Sequence, residues 1–346
     1  MELAIHEFNL PLRYVFRIAR GETSVQQTLI VELSADGHIG YGEATANDYY
    51  GMSFDRMASA LEQLRPLLAD YDLSDPTDLW AKAAAEIGDC SFALCALDQA
   101  AHDLWGKLRG QPVYRLWGLE PGGPPSNFTI GIDSIDGMVA KLKEMPGWPV
   151  YKIKLGTPED LAIVRALREH TNATFRVDAN CGWGVEETIR NSRELADLNV
   201  EFIEQPLPAG EWDGIRRVYK GTALPIIADE SCIVETDVDR CQGHFHGINI
   251  KLTKCGGLTP ARRMIARARQ LGMKVMVGCM TESTVGISAI AQLLPLLDYV
   301  DMDGATLLAR DIATGVQVDR GCCIYPKENG TGVELIATPA DGVLAS

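Results

Sequence analysis

The pattern of apolar and polar positions divides the chain into two rhythms. Near the N-terminus, Thr28-Leu29-Ile30-Val31-Glu32-Leu33 is rich in residues that favour extended backbone. Asp36-Gly37 supplies a tight turn and Ile39-Gly40-Tyr41-Gly42-Glu43-Ala44 resumes the pattern, which predicts a β-hairpin. From about Phe54 to Leu108, Ala, Leu and Met recur at three- and four-residue spacing, predicting helices; the stretch from Ala84 is Ala-rich, as close helix packing demands. The breaker Gly118-Leu119-Glu120-Pro121-Gly122-Gly123-Pro124-Pro125 ends this α+β unit.

Beyond Pro125, short apolar strands alternate with amphipathic helices. Strands are predicted at Phe128–Ile132, Tyr151–Lys154, Thr174–Asp178, Phe202–Glu204, Ile226–Ala228, Ile248–Lys251, Lys274–Val277 and Tyr299–Met302. Eight strands recurring roughly every 25 residues have the period of a parallel βα barrel. A doubly wound open sheet fits less well, because no glycine fingerprint follows a strand. The expected domains are a capping unit over 1–118, a barrel over 119–314, and a glycine-containing tail, 315–346, that returns to the cap.

Composition narrows the function. Of 346 residues, 46% are hydrophobic and 23% charged, ordinary values for a folded chain. The net charge of −15 disfavours nucleic acid and anionic membrane surfaces as partners. No stretch approaches a membrane span, and the N-terminus carries no basic-then-apolar signal. Nine cysteines without CxxC spacing point to reduced thiols and a cytoplasmic location rather than a disulfide framework or zinc site.

Barrel enzymes carry their chemistry at the C-terminal ends of strands. Strand two ends Lys152-Ile153-Lys154, so both lysines share the inward face while Tyr151, Ile153 and Leu155 face the helices. Strands three, four and five end in Asp178, Glu204 and Asp229, strand six in Lys251, and strand eight in Asp301-Met302-Asp303. Three converging hard carboxylates suit Mg²⁺. Lys154 and Lys251 belong to strands four apart in a ring of eight, a geometry for taking a proton from one face of a carbon and returning it to the other. Lys152 is expected either to bind a substrate carboxylate or to neutralise the metal ligands. Arg176 shares the inward parity, with no role assigned, and His244-Phe245-His246 falls at the wrong barrel end for chemistry.

These motifs, in this order, resemble the enolase superfamily, in its muconate-lactonising-enzyme subgroup. The resemblance rests on Lys152-x-Lys154, Val177-Asp178-Ala179-Asn180, Glu204-Gln205-Pro206, Ala228-Asp229-Glu230-Ser231 and Ile250-Lys251-x-x-Lys254-x-Gly256-Gly257. It implies a modified (β/α)₇β TIM barrel with an N-terminal α+β capping domain completed by the C-terminal tail. Two loops, Phe16–Thr23 and Asp48–Ser53, are then expected to close over substrate. Within the subgroup, Asp301-Met302-Asp303-Gly304 and Phe16-Arg17-Ile18-Ala19-Arg20-Gly21 are similar to dipeptide epimerases. That implies Mg²⁺-dependent epimerisation of a dipeptide at its C-terminal residue, through an enediolate, with Asp301 and Asp303 on the α-ammonium group and a homo-oligomeric assembly. Where Ala-Glu epimerases carry a loop arginine, this chain reads Gly21-Glu22-Thr23; Arg20 and Glu22 are therefore the candidate side-chain selectors, Glu22 favouring a neutral or basic partner.

Rival readings share parts of this pattern. Muconate cycloisomerases, o-succinylbenzoate synthases and N-acyl amino acid racemases use the same scaffold, but their substrates offer no ammonium group to an Asp-x-Asp pair. A glycoside hydrolase would need paired carboxylates without opposed lysines. A non-catalytic binding protein would have no need of the complete set of site residues.

Overall fold

The computed structural model describes residues 1–19 and 21–336; the candidate selector Arg20 lies outside them. The N-terminal unit is an antiparallel sheet of β1 (Glu2–Ile18), β2 (Gly21–Ala35) and β3 (His38–Thr45), in that spatial order. The predicted hairpin is the β2–β3 pair. The segment Phe16–Thr23, expected as a loop, is instead the paired tip of a long β1–β2 ribbon, with Phe16 opposite Thr23 and Ile18 opposite Gly21. Pairing is interrupted between Pro11 and Phe16, where β1 follows the sheet edge on which proline is tolerated.

One face of this sheet, including Leu29, Val31, Leu33 and Ala44, packs on helices Phe54–Gln63, Pro76–Ile87 and Ser91–Arg109. The Gly-Tyr-Gly sequence of β3 has a steric cause. A Cβ at Gly40 would lie 2.3 Å from the Ala100 carbonyl, and one at Gly42 would lie 2.0 Å from that of Ala96. Only glycine lets β3 lie this close to the Ser91–Arg109 helix. Helix starts are capped locally: Ser53 accepts from the Arg56 amide, and Asp75, followed by Pro76, accepts from the Thr77 amide.

The second unit is an eight-stranded parallel sheet, β4 (Phe128–Ile130), β5 (Val150–Lys154), β6 (Thr174–Asp178), β7 (Val200–Glu204), β8 (Ile226–Ala228), β9 (Gly247–Lys251), β10 (Lys274–Gly278) and β11 (Tyr299–Asp301), in sequential order. A parallel bridge from Ser126 to Val300 joins its two ends. The Met302 amide donates to Ser126 Oγ at 3.0 Å and the Thr129 amide to Asp303 Oδ2 at 2.5 Å, so the seam is closed by side chains as well as backbone. Alternation sorts the faces. Tyr151 and Ile153 join the apolar layer under the helices, whereas Lys152 and Lys154 point inward. Below the mouth the interior is filled by Phe202, Ile227 and Met276 with Tyr299. Arg176, inward as its parity requires, pairs with Glu201 at 2.9 Å and donates to the Val300 carbonyl at 3.0 Å, which makes it a plug of the lower barrel. His246 Nδ1 accepts from the Ile226 amide and its ring stacks on Tyr219, a packing role.

The tail returns to the cap. Ala313–Thr314 pairs with Glu334–Leu335, and the Thr331 amide donates at 2.7 Å to Asp103, whose other oxygen accepts from the Tyr41 amide. Cap and barrel are further joined where Asp98 accepts from the Thr259 amide and hydroxyl. All nine cysteines are free. Among the described residues, no helix is long and apolar enough to cross a membrane.

Candidate active site

The inward polar residues converge in a cleft of about 680 Å³ between the barrel mouth and the cap. Lys152, Lys154, Lys251, Glu230, Asp301 and Asp303 line it from the barrel; Phe16, Glu22, Asn47 and Tyr50 are among its cap residues. A second groove of about 540 Å³ lies behind the β1–β2 ribbon and contains none of these lysines.

Adjacent strands place the three expected metal ligands side by side. Asp178 and Glu204 are register partners on β6 and β7, and Asp229 follows the end of β8. All three are buried and each meets a lysine. Lys152 Nζ lies 2.8 Å from Glu204 Oε2, 2.9 Å from Asp301 Oδ2 and 3.3 Å from Asp178 Oδ2. Lys154 Nζ lies 2.6 Å from Asp178 Oδ2. Across the mouth, Lys251 Nζ lies 2.9 Å from Asp229 Oδ2, and Lys254 Nζ is 2.6 Å from Asp229 Oδ1. Asn249 donates to Glu204 Oε1 at 2.8 Å.

Of the two options for Lys152, this geometry favours neutralising the acidic cluster. Burial opposes its charge, but Asp301, Glu204 and Asp178 together hold its pKa well above the lysine range. For Lys251, a pKa below the ordinary lysine value would favour the neutral amine. Burial acts in that direction, yet Asp229 at 2.9 Å outweighs it and raises the ammonium's pKa. Asp229 is in turn held below the usual carboxylate range: burial acts against this, and Lys251 and Lys254 prevail.

The donor set fits a divalent cation. Four lysines, Lys152, Lys154, Lys251 and Lys254, face six acidic side chains, those of Asp178, Glu204, Asp229, Glu230, Asp301 and Asp303, so carboxyl groups outnumber the amines at this site. Burial and then Asp178 push the Glu204 carboxyl up to about 7. Its Oε2 is close to Lys152 but misaligned for a hydrogen bond. Asp178, Glu204 and Asp229 offer the hard oxygens that Mg²⁺ requires.

Asp301 and Asp303 sit at the β11–β4 seam. Asp301 accepts from Asn127 at 2.7 Å besides its pair with Lys152. Burial and Asp301 raise the Asp303 carboxyl well above its ordinary range, as two crowded acids require. Cys279 Sγ and one oxygen from each of these carboxylates lie within 4.8 Å of one another. Glu22 is at the exposed rim, its charge met by Arg17 at 2.6 Å. The ribbon tip is docked on the barrel: the Ile132 amide donates to the Arg17 carbonyl at 2.8 Å. A Cβ at Gly131 would come within 3.1 Å of that carbonyl oxygen.

Lys254 stands in the Ile250–Gly257 motif without a task of its own. Its signal was the Lys251-x-x-Lys254 spacing, which returns the side chain to Asp229. Tyr50 lies in the Asp48–Ser53 segment; burial and then Asp229 raise its phenol's pKa, so it stays an O–H donor near Asp229 and Lys251. Asn249 carried no signal, because its partner Glu204 lies 45 positions away.

Comparison with known proteins gives concordant matches. Residues 1–118 match the mandelate racemase/muconate lactonizing enzyme N-terminal domain and residues 137–338 the enolase C-terminal domain-like family. A protein of Flavobacterium johnsoniae named L-Ala-D/L-amino acid epimerase is 56% identical, over 97% of this chain and all of its own length. One of the same name from Maribacter is 54% identical, over 97% and 99%. The crystal structure of a Cytophaga hutchinsonii dipeptide epimerase complexed with Mg and D-Ala-L-Val has a TM-score of 0.90 at 28% identity, covering 96% of this chain and 95% of that one.

Proposed function

Because the chain belongs to the mandelate racemase/muconate lactonizing enzyme family of the enolase superfamily, we propose that it is a Mg²⁺-dependent dipeptide epimerase. The observation that carries this reading is the pair Lys154 and Lys251, set on opposite sides of the mouth above three neighbouring carboxylates. Asp178, Glu204 and Asp229 would hold the Mg²⁺, whose charge supports the negative charge that develops on the substrate carboxylate when the α-proton leaves. Lys154 and Lys251 each exchange a proton with one face of the α-carbon of the C-terminal residue, through an enediolate. Lys152 keeps the acidic cluster compact. Asp301 and Asp303 take the substrate's ammonium group, whose charge relieves their mutual repulsion.

The names of the relatives at 56% and 54% identity support an N-terminal L-alanine and a broad second residue. The Arg17–Glu22 pair neutralises the rim, so uncharged second residues are preferred over acidic ones. The same reading places the protein in the cytoplasm, as a homo-oligomer. The direct test is a library of L-alanyl dipeptides incubated with Mg²⁺ in D₂O and read by mass gain. Absence of deuterium uptake from every member removes the proposal. One observation favours a second reading: Lys152 already supplies Asp301 with a cation. An N-acyl amino acid racemase would need no more than that. N-acetylated dipeptides decide between the two. The epimerase loses at least about tenfold in kcat/KM on acetylation, roughly 1.4 kcal/mol; the racemase does not.

A further inference from the structure

The β10 loop is fastened from outside the barrel. After Gly278 the chain runs through Cys279, Met280 and Thr281, all lining the cleft, to Glu282 and Ser283, which caps the helix Thr284–Ala291. A carboxylate from the cap domain enters this turn. Glu43 on β3 is fully buried and accepts hydrogen bonds from the Ser283 amide at 3.0 and 3.1 Å, the Ser283 hydroxyl at 2.5 Å and the Gly286 amide at 3.0 Å. Thr28 on the neighbouring strand completes its shell at 2.8 Å. First-turn helix amides have no partner within their own helix, and an anion is the ligand they favour. Here it comes from a residue 240 positions away in the sequence.

The loop has a second fastening nearer the cleft. Glu282 Oε1 accepts from the Met280 amide at 2.6 Å. Gly286 leaves the room for it, since a Cβ there would lie 1.8 Å from Glu282 Oε2. On the cap side, β3 runs directly from Glu43 into Ala46, Asn47 and Tyr50, which also line the cleft. Asn47 Nδ2 reaches Met280 Sδ at 3.9 Å. One wall of the cleft therefore has two halves, one from each domain, held together through Glu43. Cys279, on the barrel half, lies beside the Asp301 and Asp303 carboxylates.

We infer that Glu43 is a positioning residue for substrate binding: it clamps the loop Cys279–Ser283 against the cap, and so sets the wall that meets the dipeptide's N-terminal residue. The inference rests on the epimerase reading for its substrate, but the clamp itself is independent of it. A carboxylate with a purely structural role would change stability and leave substrate affinity untouched. One that shapes the wall changes affinity without touching the lysines.

Two conservative variants approach the contact from its two sides, Glu43→Gln and Ser283→Ala. Each is expected to raise KM for an L-alanyl dipeptide about tenfold and keep kcat within about twofold. The effects should fall short of additive in the double variant, because both remove one interaction. Amide hydrogen exchange at residues 279–283, followed without substrate, should accelerate in both variants while strands β5 to β9 stay protected. Should Glu43→Gln not fold, Ser283→Ala alone carries the same two readouts. Parental KM in a folded variant, or a fall in kcat at parental KM, overturns the inference. Unchanged exchange at 279–283 overturns the clamp whatever the enzyme's substrate, which separates this failure from failure of the epimerase reading.

Discussion

Lys154 and Lys251 occupy equivalent places on opposite walls, yet each is presented by a different carboxylate, Asp178 for one and Asp229 for the other. Replacing either with alanine is expected to cut epimerisation by about 10²–10⁴ fold, the usual worth of a positioned acid–base group. The remaining lysine should still exchange the α-proton of one substrate epimer with D₂O. Near-parental epimerisation by either variant would show that the proton moves elsewhere. Lys152 is a different case. It meets three buried carboxylates, so Lys152→Met should destabilise the fold by about 3–5 kcal/mol, as broken buried ion pairs do. Denaturant titration measures this, and an unchanged midpoint would deny Lys152 its neutralising role. Glu282 gives a pH signature. Burial, then Glu43, pushes its carboxyl from 4.5 up to about 8. Folded protein thus keeps a proton that the unfolded chain has released, and this group weakens the fold as pH rises from about 4.5 to about 8. Relative to the parent, Glu282→Gln should gain stability at pH 8 and gain little at pH 4; equal differences at both pH values would contradict this.

At the scale of elements, the barrel strands were legible because a parallel strand buried on both faces leaves a short apolar run ending in the polar residues of the mouth. The predicted Thr174–Asp178 and Ile226–Ala228 coincide with β6 and β8, and the other six differ by one or two residues at an end. Two things were not legible. The β1–β2 ribbon pairs Phe16 with Thr23, Arg17 with Glu22 and Ile18 with Gly21, where the side chains are partly or fully exposed and the alternation is too short to mark a strand. The choice between the two expected roles of Lys152 was also not legible, since Lys152 and Asp301 lie 149 positions apart and meet only when the ring closes. The ribbon yields a prediction of its own. Its tip rests on Gly131, whose missing side chain admits the Arg17 backbone. Gly131→Ala forces a shift of a few tenths of an ångström and should weaken that docking. The expected outcome is a several-fold rise in KM with thermal stability unchanged, because the barrel core is untouched. Parental kinetics would mean that the ribbon does not act as a lid.

For the whole molecule, the acidic balance and the six-to-four excess of carboxyl groups over amines in the mouth point the same way. Chelation with EDTA should abolish turnover and lower the melting temperature, and Mg²⁺ should restore both, by binding the folded state alone. Full activity after rigorous chelation would remove the metal from the chemistry. The same linkage extends to the seam. Asp301 and Asp303 are proposed to hold the substrate's ammonium, but they also tie β11 to Asn127 and Thr129 at the start of the barrel. A sheet rolled into a cylinder has one joint where the last strand must find the first, and here two crowded acids help to make it. A bound ammonium ion would act on it as a rivet. Ligand occupancy then becomes a mechanical property of the ring: the loaded cylinder resists unrolling at this joint, and slower amide exchange at 126–129 on adding dipeptide would register it.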